Sequence, residues 1–323
     1  MTRTMTALPE ILVLPQKPHG IPVESLVSSL RARYDGDVSF ARTSDEIDAA
    51  LLSATLVVGN YISPDDLDRA DALELFACSY AGTDHLPLSE LREHGVTVTN
   101  AGGVHASNVA EHAVGSLLSL TRGLFRARRQ QRNHEWRNFQ PGELAGRTVT
   151  VVGLGAIGTA IARRLRPFDI DLRAVRHTPE KGGPADAVFG YDDLETALAG
   201  SEGVVLACPL TETTEGLLDG AAFDLLDPDA VVVNVARGGV IETNALVDAL
   251  RWNHIRGAAL DVTDPEPLPP EHPLWDFENV LITPHNGGYT PEYYDRLADI
   301  VVGNVEHAVE SGSWDDLDNQ VVP

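Results

Sequence analysis

The chain has 323 residues, the length of about two ordinary domains, with room for a sizeable hydrophobic core. Lys and Arg total 24 against 48 Asp and Glu, so the formal net charge is −24, and a surface this negative repels the phosphates of nucleic acid. Hydrophobic residues make up 43% and charged residues 22% of the chain, which excludes a largely disordered protein.

The first hundred residues alternate short apolar runs with amphipathic stretches. The apolar runs predict buried strands at residues 11–14, 56–58, 75–78 and 96–98. Helical spacing of apolar residues predicts helices at 21–33, 45–53, 65–72 and 86–93. Because strands that alternate with helices are typical of a parallel sheet, these residues predict one small doubly wound α/β unit.

The remaining elements predict a second, larger doubly wound unit. One long helix is expected from about residue 107 to 131. Strand-like runs then recur at 148–152, 172–175, 204–207, 230–235, 257–260 and 280–283, and helices at 157–165 and 245–251 fit between them. A last amphipathic helix at 291–310 could pack on either unit.

Several classes of protein are disfavoured by what the sequence does not show. Cys78 and Cys208 form no CxxC or Cys/His cluster, so neither a structural disulfide nor a metal site is expected. No secretory signal opens the chain and no apolar run has the length needed to cross a bilayer, so we expect a soluble, cytoplasmic protein. The one basic run, residues 122–137, has few aromatic residues and is better read as a solvated or subunit-facing helix end.

A glycine-rich turn follows the predicted strand that ends at residue 152. Its residues are Gly153, Leu154, Gly155, Ala156, Ile157 and Gly158. In a strand–turn–helix context, Gly153 permits the tight turn, Gly155 lets the backbone approach a pyrophosphate, and Gly158 lets the helix pack on the strand. The turn therefore predicts dinucleotide binding.

The end of the next strand indicates which dinucleotide is bound. An NAD site usually carries Asp or Glu there, whereas this chain has Arg176, His177 and Thr178. A carboxylate would repel a 2′-phosphate, and a guanidinium can pair with one through two hydrogen bonds. We therefore expect NADP(H) to be preferred over NAD(H), with a merely solvated Arg176 as the alternative.

Three further polar groups follow predicted strands, where a doubly wound sheet binds its ligands. Arg237 comes after the strand at 230–235, Glu266 lies beyond Asp261 and the strand at 257–260, and His285 follows the strand at 280–283. Each alone has a structural explanation, because arginines cap helices and carboxylates flank turns.

Together and in this order, the motifs resemble the D-2-hydroxyacid dehydrogenases. The matching residues are Ala110–Ala113, the glycine turn, Cys208–Thr211 with Thr214, Val235–Gly238, Ala259–Val262 with Glu266 and Pro267, and Thr283–His285. The resemblance implies a Rossmann dinucleotide-binding domain, residues 103–290, inserted into a smaller flavodoxin-like substrate domain made of residues 1–102 and 291–323. It also assigns the last helix to that smaller domain and implies a homodimer built around the long helix and the basic run.

The resemblance further implies roles for individual residues. Arg237 would hold the carboxylate and ketone of a 2-oxo acid, His285 would be the general acid or base, and Glu266 would orient the imidazole. Backbone N–H groups of Tyr80, Ala81 and Gly82 would meet the substrate carboxylate. The implied cofactor contacts beyond the glycine turn and residues 176–178 are Cys208, Pro209, Thr214, Val235, Ala236, Asp261, His285 and Gly287. Two departures from the family pattern are Arg176 and Gly288, where the family often has an acid and a serine.

The leading hypothesis is an NADP(H)-dependent D-2-hydroxyacid dehydrogenase that works mainly as a 2-ketoacid reductase. The alternative enzymes are glyoxylate/hydroxypyruvate reductase and phosphoglycerate dehydrogenase, of which the second is disfavoured because no extra regulatory domain is expected. A different class is a dinucleotide-sensing corepressor-like protein, against which stand Arg237, Glu266 and His285. The mechanism needs no metal. Lysine occurs only at positions 17 and 181, and this acidic, lysine-poor composition resembles that of proteins from cells that balance external brine with internal salt. The alternative is ordinary acidity that keeps the protein soluble.

Overall fold

The structure, a computed structural model, describes residues 8–16 and 20–322, which divide into two compact units. The central unit is His105–Gly288. The terminal unit consists of the residues up to Val104 and from Tyr289 onwards. The sequence placed these boundaries two residues away, at 102/103 and 290/291.

In the terminal unit, the described residues form a six-stranded sheet in the order β13-β5-β4-β3-β1-β2. The strands are β1 (Ile11–Val13), β2 (Val38–Phe40), β3 (Leu56–Gly59), β4 (Leu75–Cys78), β5 (Thr97–Thr99) and β13 (Gln320–Val322). The helices are α1 (Val23–Arg31), α2 (Ser44–Leu51), α3 (Pro64–Leu67), α4 (Leu88–Glu93) and α11 (Tyr293–Ser311). All pairings are parallel except β13 with β5, which is antiparallel.

In the central unit, the described residues form a seven-stranded parallel sheet in the order β12-β11-β10-β9-β6-β7-β8. The strands are β6 (Thr148–Val152), β7 (Asp171–Val175), β8 (Ala187–Phe189), β9 (Gly203–Leu206), β10 (Val231–Asn234), β11 (Gly257–Leu260) and β12 (Val280–Ile282). The helices are α5 (Ala106–Thr121), α6 (Leu124–Arg132), α7 (Ala156–Leu165), α8 (Leu194–Leu198), α9 (Gly220–Asp224) and α10 (Thr243–Arg251). The sheet order reverses between β6 and β9, the switch point where such sheets bind ligands.

The two predicted doubly wound α/β units are confirmed, and both sheets lie between helices. Buried Val, Leu and Ala side chains cover both faces of each sheet, as continuous apolar runs in parallel strands require. The last helix, α11, packs on α1 within the terminal unit.

Within the described part of the chain, no helix combines the length and apolarity that crossing a bilayer requires.

The predicted single helix at 107–131 is wrong, because the chain forms α5 and α6 with a break between them. Gly123 adopts φ +64°, a left-handed conformation that ends a helix and that glycine tolerates best. Helical periodicity continues through the break, so the apolar pattern alone did not reveal it.

Candidate functional site

The glycine turn joins β6 to α7, as the sequence predicts. Gly153 has φ +97°, and a Cβ there would lie 2.7 Å from the backbone of Cys208. At Gly158 a Cβ would lie 1.7 Å from the carbonyl oxygen of Gly153, so only glycine allows α7 to approach β6. A Cβ at Gly155 would meet nothing within 4 Å, which leaves open space over the helix N-terminus. This geometry fits a dinucleotide diphosphate, which helix N–H groups and the helix dipole stabilise.

A cavity of about 350 Å³ extends along this edge of the sheet. Predicted residues that line it are Gly153, Leu154, Gly155, Arg176, His177, Thr178, Pro209 and Thr214. The lining also contains Tyr191, Ala207, Thr211 and Thr213, which the sequence analysis did not assign to the site. Eight of the predicted cofactor residues thus come together around one cavity, although they come from three separate segments.

Arg176 stands directly after β7 and is half-buried. Its Nη1 donates to the carbonyl oxygen of Gly182 at 2.6 Å, and its backbone N–H donates to Phe189. The first bond ties the guanidinium to the loop that follows His177 and Thr178. The cavity therefore has a cationic wall at the position where an NAD site usually has an acid.

Of two further predicted cofactor residues, Thr214 lines this cavity, whereas Cys208 is not part of the lining that the described residues form. The hydroxyl of Thr214 donates to Pro209 at 2.6 Å and accepts from the N–H of Thr211 at 2.8 Å, which closes the loop 209–214. Cys208 is buried, and burial raises the pKa of its thiol, while burial also raises the pKa of the neighbouring Tyr191 phenol. Both groups therefore stay protonated and neutral near neutral pH.

Arg237 lies beyond β10, where Asn234 shapes the turn. The Asn234 side chain accepts from the N–H of Ala236 at 2.9 Å and donates to the carbonyl oxygen of Arg237 at 3.0 Å. The Arg237 side chain is exposed, and its Nη1 donates to Ala236. Among the residues that the structure describes, Arg237 lines neither this cavity nor a second one around Glu266 and His285. Val235 and Ala236 are buried beneath the turn.

The structure brings His285 and Glu266 together. His285 Nδ1 lies 2.7 Å from Glu266 Oε1. Since a carboxylate only accepts hydrogen bonds, Nδ1 donates and Nε2 is the ring atom left for proton exchange. Both side chains are about half exposed, and they line a second cavity, of about 510 Å³. A base held by an acid in this way is the arrangement that general acid–base catalysis uses.

Asp261, predicted as a cofactor contact, is engaged by the loop that carries His285. Its carboxylate accepts hydrogen bonds from the Thr283 hydroxyl at 2.6 Å and from the N–H groups of Asn286 and Gly287 at 3.1 and 2.9 Å. Gly287 is buried, and a Cβ there would lie 2.8 Å from Asp261 Oδ2. Asp261 thus fixes the loop on both sides of His285, and its contact with the cofactor stays a prediction.

The predicted substrate loop, Tyr80 to Gly82, follows β4 in the terminal unit. The Asn100 side chain donates to Ala81 at 2.7 Å, and the N–H of Ala101 donates to Tyr80 at 3.1 Å. The Tyr80 ring packs edge-on against His85. Among the described residues, the N–H groups of Ala81 and Gly82 have no protein acceptor. They are available to an anion.

The comparisons with known proteins agree with this geometry. Residues 114–287 match the family model described as D-isomer specific 2-hydroxyacid dehydrogenase, NAD binding domain. A glyoxylate reductase of Thermofilum pendens is 34% identical over 87% of this chain and 80% of its own. This chain belongs to the D-isomer specific 2-hydroxyacid dehydrogenase family.

Two other similar proteins support the assignment. The glyoxylate reductase/hydroxypyruvate reductase of Homo sapiens is 34% identical over 88% of this chain and 91% of its own. A D-isomer specific 2-hydroxyacid dehydrogenase from Xanthobacter autotrophicus Py2, in complex with NADPH and MES, has a TM-score of 0.76 and 30% identity and covers 98% of both chains. The protein is therefore an oxidoreductase that uses a nicotinamide cofactor, and the predicted resemblance is confirmed.

The site also contains contacts that were not predicted from the sequence. His112 Nε2 lies 3.1 Å from Thr283 Oγ1, and Asn108 Nδ2 donates to Gly287 at 2.7 Å. The spacing of Asn108 and His112, four residues apart on one helix, could have indicated a shared contact. Among residues 8–16 and 20–322, no group of three His, Cys, Asp or Glu side chains is placed to hold a metal ion.

Proposed function

We propose that this protein is an NADP(H)-dependent 2-ketoacid reductase that forms D-2-hydroxyacids, with a small substrate such as glyoxylate or hydroxypyruvate. The observation that carries the proposal is the 2.7 Å contact of His285 with Glu266 at the sheet edge that also bears the glycine turn. The names of the relatives favour the glyoxylate/hydroxypyruvate alternative over phosphoglycerate dehydrogenase.

His285 is the proposed general acid in reduction and the general base in oxidation. The nicotinamide supplies the hydride when the cofactor is bound. Glu266 accepts a hydrogen bond from Nδ1–H and so orients the ring with Nε2 towards the substrate oxygen. When the ketone is reduced, Nε2 gives up its proton to the developing alkoxide.

Positive and N–H groups are the proposed binding elements for the anionic substrate. The exposed guanidinium of Arg237 can hold a carboxylate and polarise a ketone through charge-assisted hydrogen bonds. In the terminal unit, the N–H groups of Ala81 and Gly82 are proposed carboxylate donors, and Tyr80 is a proposed specificity residue.

Arg176 is the basis for the proposed preference for NADP(H). Its guanidinium borders the 350 Å³ cavity, and only Nη1 has a described protein acceptor, which leaves donors for a 2′-phosphate. His177 and Thr178 border the same cavity and could add hydrogen bonds. The similar protein from Xanthobacter was solved with NADPH, which supports the same choice here.

A homodimer is proposed around α5, α6 and the segment that follows. Leu124 is 53% and Trp136 98% exposed, although burial of such side chains is favourable. A partner subunit would cover them.

The acidic surface is the basis for proposing a cytoplasmic protein of a salt-accumulating cell. Among the described Asp and Glu residues, only Asp261 is buried, so nearly all of the negative charge faces solvent. At 1 M salt the Debye length is about 3 Å, which screens this repulsion.

The proposal is tested by following absorbance at 340 nm with NADPH and a panel of 2-ketoacids in high salt. We expect turnover with glyoxylate or hydroxypyruvate, and a kcat/KM at least about tenfold higher with NADPH than with NADH. Silence across the panel, together with tight NADPH binding, would instead support the sensing function.

A further inference from the structure

Helix α5 contacts the loop that carries His285 at two points. The Asn108 side chain donates to the carbonyl oxygen of Gly287 at 2.7 Å. One helical turn later, His112 Nε2 lies 3.1 Å from Thr283 Oγ1. These two contacts lie on either side of His285, so one face of α5 holds both ends of its loop.

A buried acid lies beneath the same loop. Asp261 is the one buried carboxylate among the residues that the structure describes, and its Oδ1 lies 3.6 Å from His112 Nε2. Burying a carboxylate is unfavourable unless hydrogen bonds compensate. Three donors from Thr283, Asn286 and Gly287 do so here, and all three belong to the His285 loop.

The direction of these hydrogen bonds determines where the His112 proton resides. A threonine hydroxyl has one proton, and the 2.6 Å bond to Asp261 Oδ1 uses it, because a carboxylate only accepts. The Thr283 oxygen must therefore accept from His112, which requires the proton on Nε2. The result is a chain of hydrogen bonds in which His112 donates to Thr283 and Thr283 donates to Asp261. The hydrogen bonds of such a chain strengthen one another.

The same loop holds His285 in a conformation that needs support. His285 has φ +52°, a left-handed conformation that non-glycine residues rarely adopt. Its backbone N–H lies 2.9 Å from the carbonyl oxygens of both Asp261 and Thr283. Thr283 and Asp261, which the hydrogen bonds from His112 reach, are thus the residues that hold the backbone of His285.

We propose that His112 is a positioning residue, which keeps Thr283 and Asp261 in place and thereby fixes His285 against Glu266. Its kinetic consequence rests on the proposed reductase function, whereas its effect on the loop does not. Proton transfer requires accurate placement of the acid, so loosening the loop should lower kcat more than it changes substrate binding.

Hydrogen exchange of the apo protein, followed by mass spectrometry, tests the proposal without any turnover. Its probes are the amides of Asn286 and Gly287, which donate to Asp261. We expect His112→Leu to speed their exchange about tenfold, and His112→Gln, whose amide can still donate to Thr283, to stay within about twofold of the wild type. Thr283→Val removes the same link from the other side and serves if His112→Leu does not fold.

His254→Leu is the matched control, because His254 lies in the exposed turn after α10 and pairs with Asp224 of α9, so its loss should leave the loop amides unchanged. In the active enzyme, His112→Leu should lower kcat about tenfold with KM for the 2-ketoacid nearly constant, and His112→Gln should restore it. A double variant with Thr283→Val should be no slower than the slower single variant.

Unchanged exchange at Asn286 and Gly287 in both His112→Leu and Thr283→Val would overturn the proposal, as would a Gln variant no better than Leu. If the wild type is inactive on every 2-ketoacid but the exchange results hold, the reductase function fails and the positioning role remains.

Discussion

Two loops at the same edge of the central sheet are built in opposite ways. The loop after β12 carries His285 and is tied to Asp261 and helix α5 by hydrogen bonds on both sides of the histidine. The loop after β7 carries Arg176, whose guanidinium has one described protein bond, to Gly182. One loop is fixed by the protein, and the other keeps donors available.

This difference corresponds to the proposed roles of the two loops, which are proton transfer at His285 and cofactor selection at Arg176. A proton transfer depends on placement to within a fraction of an ångström, so the group that performs it has to be held. Choosing between two anionic cofactors depends on charge, which acts over a longer distance and tolerates an arginine whose guanidinium is held by a single described hydrogen bond. Substitutions in the two loops should therefore separate chemistry at His285 from cofactor choice at Arg176.

The largest effect is expected at the fixed loop. His285→Ala removes the proposed general acid, and general acid–base catalysis contributes about 10² to 10⁴ in rate, so kcat should fall about 10³-fold. The dissociation constant of NADPH, measured by fluorescence titration, should stay within about twofold because the glycine turn and Arg176 are untouched. His254→Ala, at an exposed position, is the control. A His285→Ala enzyme with normal turnover would remove this residue from the mechanism.

A smaller and different effect is expected at the Arg176 loop. Arg176→Asp replaces a donor by a charge that repels a 2′-phosphate, so KM for NADPH should rise about ten- to a hundredfold. KM for NADH should fall or stay constant, and kcat should change little because His285 and Glu266 are untouched. Steady-state kinetics with both cofactors measure this.

Arg251→Asp makes the same change of net charge at the exposed end of α10, so it serves as the control for the effect of charge alone. Equal NADPH kinetics in Arg176→Asp and the wild type would mean that the loop after β7 does not select the cofactor.

We expect the smallest effect from removing salt, and this effect should not be confined to one of the two loops. The carboxylates repel one another when screening is lost, so the melting temperature should fall by several degrees between about 2 M and 0.1 M KCl. Loss of stability should precede any change in the ratio of NADPH to NADH use, because that ratio depends on local contacts. Full stability in dilute buffer would contradict the proposed adaptation to salt.

The sequence predicted the strands and turns at this edge of the sheet better than it predicted the contacts between distant residues. Strand β6 and the glycine turn were predictable because part of the constraint is local: Gly158 is required by the carbonyl oxygen of Gly153, and Gly153 itself adopts a positive φ. The break at Gly123 was not, because a glycine in a helical pattern can be helical or left-handed, and periodicity does not distinguish them.

Contacts across long separations were out of reach of sequence patterns. The three-residue strand β13 pairs antiparallel with β5, and only the folded terminal unit makes that pairing visible. His112 and Thr283 are 171 residues apart, and the motif around His112 gave no indication of its partner. Arg237, Glu266 and His285 were found because each follows a predictable strand, but the hydrogen bond between His285 and Glu266 needed the structure.

The central claim is that this chain uses NADPH to reduce a 2-ketoacid to the D-hydroxyacid. The most direct test incubates the wild-type enzyme in high salt with NADPH and hydroxypyruvate, and measures the NADPH consumed and the amount and configuration of the glycerate formed. We predict one D-glycerate per NADPH oxidised. Formation of the L-isomer, or NADPH loss without glycerate, would contradict the account.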